Sequence, residues 1–136
     1  MFPNLKNPVF TDIDDLNEMA RQIRRDIMNM LLISKSGHSG GPLGLADIFS
    51  ALYFNKLNIK PDEAYGDFRD YVFLSIGHVA PVWYATLARR GYIPIDELKT
   101  LRKINGRLQG HPTLPKTHTV FPELRLPQAH WDKDCQ

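Results

Sequence analysis

The chain has 136 residues, a mass of 15.6 kDa and a single cysteine, enough for one ordinary core and too few thiols for an internal disulfide. Its hydrophobic fraction of 43% and charged fraction of 24% exclude a disordered, collagen-like or low-complexity chain. A formal net charge of +2 without a basic stripe argues against a nucleic-acid binder. The longest apolar run, Met30-Leu31-Leu32-Ile33, is far short of the ~20 residues of a membrane span. No basic, then apolar, leader opens the sequence, and Cys135 stands alone, so a reducing, cytoplasmic setting is expected.

Residues 1–11 hold two prolines in their first eight positions and read as a lead-in arm. Thr11 has the chemistry of a helix N-cap, with Asp14 at the capping-box position and Asp12, Asp14 and Asp15 suited to the positive end of a helix. From there Ile13, Leu16, Ala20, Ile23, Ile27, Met30 and Leu31 recur at steps of three and four, the apolar stripe of a long amphipathic helix ending near Ser36-Gly37. Pro42 suits a first helical turn, and Leu45, Ile48, Phe49, Leu52 and Tyr53 give a second buried face. Residues 58–69 are polar and read as a loop. The run Tyr71-Val72-Phe73-Leu74-Ser75 is short, apolar and rich in β-formers, and predicts one clear buried strand. Pro81 then opens a helix carrying Trp83, Tyr84 and Leu87 that stops at Gly91, and a last helix is expected over 95–104. Beyond Gly110 neither period is sustained, and residues 118–136 form an irregular tail.

Three glycine–histidine turns stand out. Gly37-His38-Ser39-Gly40-Gly41 lies between two helices, where glycines let a backbone approach a ligand; on its own, a tight turn with a solvent-facing histidine is the favoured reading. Ser75-Ile76-Gly77-His78 ends the expected strand, where α/β sheets bind ligands, although a βα turn whose histidine caps a carbonyl would look the same. Gly110-His111-Pro112 reads on its own as a proline-rich turn. The histidines lack the short spacing of zinc ligands, so no metal site is assigned to them.

Together, Ser36-Gly37-His38, Asp70-Tyr71-Val72-Phe73-Leu74-Ser75-Ile76-Gly77-His78 and Gly106-Arg107-Leu108-Gln109-Gly110-His111-Pro112 resemble the start of transketolase, most closely the N-terminal half of split, two-subunit transketolases. The resemblance covers about residues 12–117, in order and at family spacing. It implies an α/β, partial thiamine-diphosphate-binding fold that in this chain is mostly helical with the one strand. It implies too the transfer of a two-carbon ketol unit between sugar phosphates. The cofactors so implied are thiamine diphosphate and Mg²⁺, and the implied partner is a C-terminal transketolase subunit. By motif, His38 resembles the histidine that meets substrate hydroxyls, and His111 the one beside the scissile bond that assists proton transfer. His78, with Gly77, resembles the residue near the cofactor's diphosphate and the reacting carbonyl.

The sequence departs from the family at Ser39, where proline is usual, and at Ile76, where asparagine or lysine is usual. The family's magnesium motif, Gly-Asp-Gly with a downstream asparagine, is absent. An inactive, truncated transketolase region that does not bind Mg²⁺-thiamine diphosphate alone is therefore expected. The alternatives are a non-catalytic helical interaction module and a part completed by another subunit. The tail carries its own expectation. Read from each third codon base, residues 130–135 are compatible with Leu-Gly-Gln-(Gly/Arg)-Leu, a family turn, with a stop as the alternative to the glutamine, so residues 118–136 are expected to be frameshifted.

Overall fold

The computed structural model describes residues 8–61 and 69–112. The expected tail at 118–136, most of the expected arm and part of the 58–69 loop lie outside the described residues.

The first helix, α1 (Ile13–Ser34), starts one residue later than Thr11 predicts, because Asp12 supplies the cap: its Oδ1 accepts from the Asp14 N–H at 2.7 Å. It ends at Lys35, a left-handed residue (φ 52°) whose N–H reaches the Leu31 carbonyl at 2.9 Å. The apolar stripe is buried from Met19 to Met30, with Ile13 left in water at its start. After a reversal over residues 36–39 come α2 (Gly40–Gly44) and α3 (Ala46–Ala51), and α3 runs directly into a π-helical turn, Leu52–Lys56. The second apolar face expected from the sequence thus has a register change within it. Phe49 and Tyr53 stack at 5.6 Å on the core side, while Ile48 points out.

Helix α4 (Ala80–Arg90) follows a 3₁₀ turn (Gly77–Val79), carries Pro81 in its first turn and stops at Gly91, whose φ of 97° favours glycine. Every residue of α4 except Arg89 is buried, the mark of a central helix rather than an amphipathic surface one. It packs on α1 and α3. Two contacts fix its orientation. The Arg89 guanidinium grips the Asp26 carboxylate of α1 in a bidentate pair (2.6 and 2.8 Å), and the Trp83 indole N–H donates to the Tyr53 hydroxyl at 2.6 Å. At its end Arg90 is buried and donates to the carbonyls of Pro8 and Ile59; burial pushes its guanidinium pKa down. Pro8 and Phe10 of the expected arm pack inward, Phe10 stacking on Phe54 at 5.8 Å.

The expected buried strand at 71–75 is not there: among the described residues no strand occurs. The segment does show the alternation of a strand, with Val72 and Leu74 half-buried against the core and Tyr71 and Phe73 exposed. A strand, however, is defined by its ladder, and no neighbouring extended segment among the described residues takes its backbone groups. The fold of the described residues is therefore helical, with 71–75 as a non-helical segment leading into the 3₁₀ turn.

The helix expected over 95–104 is shorter and tighter, a 3₁₀ segment (Ile95–Thr100). Leu98 and Leu101 are buried as the period requires. Leu101 then leaves the helical region (φ −51°, ψ 125°), Arg102 and Asn105 take left-handed φ values of 56° and 62°, and Ile104 is 94% exposed.

Candidate functional site

The reversal after α1 needs Gly37. Its φ is 125°, and a Cβ there would lie 2.5 Å from Leu31 Cδ2, so only glycine lets the chain fold back over the helix end. Ser34 Oγ donates to the Ser36 carbonyl at 2.7 Å and braces the same turn. His38 follows, exposed, at the mouth of α2.

His78 is the middle residue of the 3₁₀ turn, anchored by buried Val79, whose N–H donates to the Ile76 carbonyl at 3.2 Å. Gly41 in α2 sits directly against this turn: a Cβ on it would be 2.7 Å from Val79 Cγ1 and 3.9 Å from His78 Nε2. This close approach brings the imidazoles of His38 and His78 edge to face, 5.4 Å between centroids and 62° between planes.

His111 belongs to a third loop, 106–112, held down at several points. Leu108 is fully buried and its carbonyl accepts from the Arg102 N–H at 2.8 Å. The Tyr84 hydroxyl of α4 donates to the Gln109 carbonyl at 2.9 Å. Burial raises the Tyr84 pKa far above the ordinary phenol value, so the group stays a protonated donor. Arg107 pairs with Glu97 in a bidentate contact through Nε and Nη2. The loop delivers the His111 ring onto Gly77, where a Cβ would be 2.5 Å from its Cδ2 and 3.4 Å from its Cγ.

The structure thus brings His38, His78, His111 and Gly77 together from three loops distant in sequence, with all three histidines exposed. Imidazoles near neutral pH both donate and accept hydrogen bonds, which suits hydroxyl and phosphate oxygens. Among the described residues no group of three or more His, Cys, Asp or Glu is arranged to hold a metal ion. Gly77 is explained here by the ring packed on it. Arg102 also stands at this site, with Nη1 3.0 Å from Ser36 Oγ. Sequence reading did not single it out, since neither spacing nor periodicity marks an exposed arginine.

Residues 16–121 match the family described as "Transketolase, thiamine diphosphate binding domain". The chain is 38% identical over 115 residues to an apulose-4-phosphate transketolase subunit of Actinobacillus succinogenes, covering 84% of this chain and 42% of that protein. It is 37% identical over 104 residues to transketolase 1 of Escherichia coli, covering 76% of this chain and 16% of that one. Transketolase from Leishmania mexicana superposes with a TM-score of 0.71 at 29% identity, over 79% of this chain and 16% of that one. The chain spans less than half the length of each of these relatives.

Proposed function

The chain belongs to the transketolase family, in its thiamine diphosphate binding domain, and from that premise we propose that His38, His78 and His111 form the substrate- and cofactor-facing side of a transketolase-type site. The observation that carries this reading is the convergence of the three imidazoles, two in ring contact and the third seated on the glycine beside the second. Thiamine diphosphate, when bound, supplies the nucleophilic carbon that carries a two-carbon ketol unit between sugar phosphates.

The chain's own residues bind, orient and move protons. His78, at the centre of the cluster, donates toward the cofactor's diphosphate oxygens. His38 contacts the sugar hydroxyls, and His78 also faces the reacting carbonyl oxygen. His111 holds the hydroxyl next to the bond that breaks and takes or returns its proton. Hydroxyl and phosphate oxygens fit this donor set. No metal ligand is assigned among the described residues, and because the Gly-Asp-Gly motif is missing from the sequence, the chain by itself is expected to bind no Mg²⁺-thiamine diphosphate and to transfer no ketol groups. Two relatives, from Actinobacillus succinogenes and Phocaeicola vulgatus, are named as subunits of apulose-4-phosphate transketolases. The same division of labour, with a second transketolase chain completing the site, is the partnership we propose here. A reducing, cytoplasmic setting belongs to the same reading.

A chimera tests the assignment. Residues 12–112 replace the corresponding stretch of Escherichia coli transketolase 1, and ketol transfer from a ketose phosphate to an aldose phosphate is measured. Alanine at His38, His78 or His111 is expected to lower kcat/KM by about 10²–10⁴-fold. A soluble, active chimera indifferent to all three substitutions refutes the assignment.

A further inference from the structure

We infer that Arg102 is a positioning residue: its guanidinium ties the loop carrying His38 to the loop carrying His111 and so sets the spacing of the two imidazoles. On one side Nη1 donates to Ser36 Oγ at 3.0 Å, two residues before His38. On the other, Nε, Cζ and Nη2 all lie 2.6–2.7 Å from where a Cβ on Gly110 would stand, immediately before His111. Any side chain at 110 would displace the guanidinium, so the glycine and the arginine form one contact. Because the three atoms are almost equidistant from that point, the guanidinium presents mainly its face to Gly110.

The backbone that carries Arg102 is itself fixed. Its φ of 56° is a left-handed value that non-glycine residues rarely adopt, and its N–H is spent on the Leu108 carbonyl at 2.8 Å. The next residue repeats the tie, Lys103 Nζ reaching the Ile33 carbonyl at the end of α1 at 3.4 Å. Among the described residues no carboxylate pairs with the Arg102 guanidinium, so its place is set by the two loops and not by an ion pair. A planar fork suits this work, because one face packs on backbone while an edge donates. Lysine offers only a point charge.

This inference rests on the histidine site proposed above, and its test is read separately from turnover. The full 136-residue chain, isotopically labelled, is examined by NMR for two cross-peaks, His111 Hδ2 to Gly77 Hα and His38 to His78 ring protons. In Arg102→Gln both are expected to fall at least twofold while the amide shifts of α1 and α4 stay in place. Arg102→Lys should restore neither fully. Should Arg102→Gln fail to fold, Ser36→Ala decides: it removes only an exposed hydroxyl and is expected to weaken the His38–His78 peak. Wild-type intensities of both peaks in folded Arg102→Gln, or an unchanged His38–His78 peak in Ser36→Ala, overturn the inference. Loss of the peaks in Arg102→Gln together with a histidine-independent chimera would sustain the clamp and sink the catalytic reading.

Discussion

Gly77→Ala adds one carbon at the point where the histidine loops meet. The new Cβ would stand 2.5 Å from His111 Cδ2, against the ~3.5–4.0 Å of an ordinary carbon contact, so the ring must retreat by about 1 Å. Gly77 does not occupy the left-handed region, so alanine brings no backbone strain. His111 is exposed and free to swing outward, which keeps the stability change within about 0.5 kcal/mol. Activity should be far more sensitive. Misplacing a reacting group by 1 Å costs about 10²-fold, equivalent to roughly 2.7 kcal/mol of barrier. Steady-state kinetics and thermal melts of the chimera with and without Gly77→Ala measure both quantities. Because the effect passes through His111, Gly77→Ala should cost almost nothing further in a His111→Ala background. An undiminished loss in that background would show that Gly77 acts by direct contact with the cofactor, and no loss in either background would remove the seat altogether.

Two other outcomes follow from contacts away from the site. Asp26 and Arg89 are 7% and 15% exposed, so Asp26→Ala strands a guanidinium in the α1–α4 interface and should cost about 3–5 kcal/mol in urea unfolding. The double replacement Asp26→Leu/Arg89→Met should recover most of that, and a loss below about 1 kcal/mol for Asp26→Ala would contradict the buried-pair account. Hydrogen bonds from Arg24 hold the Asp47 carboxyl below its ordinary value of 3.8, so its folded pKa is depressed. That contribution is present in full above about pH 4 and disappears as the pH falls through the folded value. With Asp47 63% exposed, solvent limits it to under about 1 kcal/mol. Wild type and Asp47→Asn should therefore differ slightly in melting temperature at pH 7 and coincide near pH 2; a gap that widens in acid would contradict the sign.

Much of the helical skeleton is legible in the sequence because its signals are local. The three- and four-residue recurrence from Leu16 to Met30 specifies the buried face of α1, and Pro81 with Gly91 brackets α4, because capping and periodicity act within one or two turns. The glycine–histidine motifs likewise mark three reversals, and their combined resemblance identifies the family. Where a partner distant in sequence decides, local reading goes astray. Val72 and Leu74 alternate as a strand does, yet a strand requires another strand's backbone, which pattern alone does not supply. Residues 101–104 carry helix periodicity, but the backbone turns left-handed at Arg102 and closes onto Leu108 instead.

The site divides in the same way. Sequence by itself determined the chemistry on offer, three imidazoles on glycine-bearing turns and no zinc spacing among them. Only the tertiary structure decided that those imidazoles share one place, because the approach of Gly41 to Val79 and of His111 to Gly77 joins loops far apart along the chain. The same holds for Asp26 with Arg89 and Ser36 with Arg102, separated by 63 and 66 residues. Such contacts form only when packed helices bring their ends together, and periodicity, which describes one helix at a time, holds no record of them.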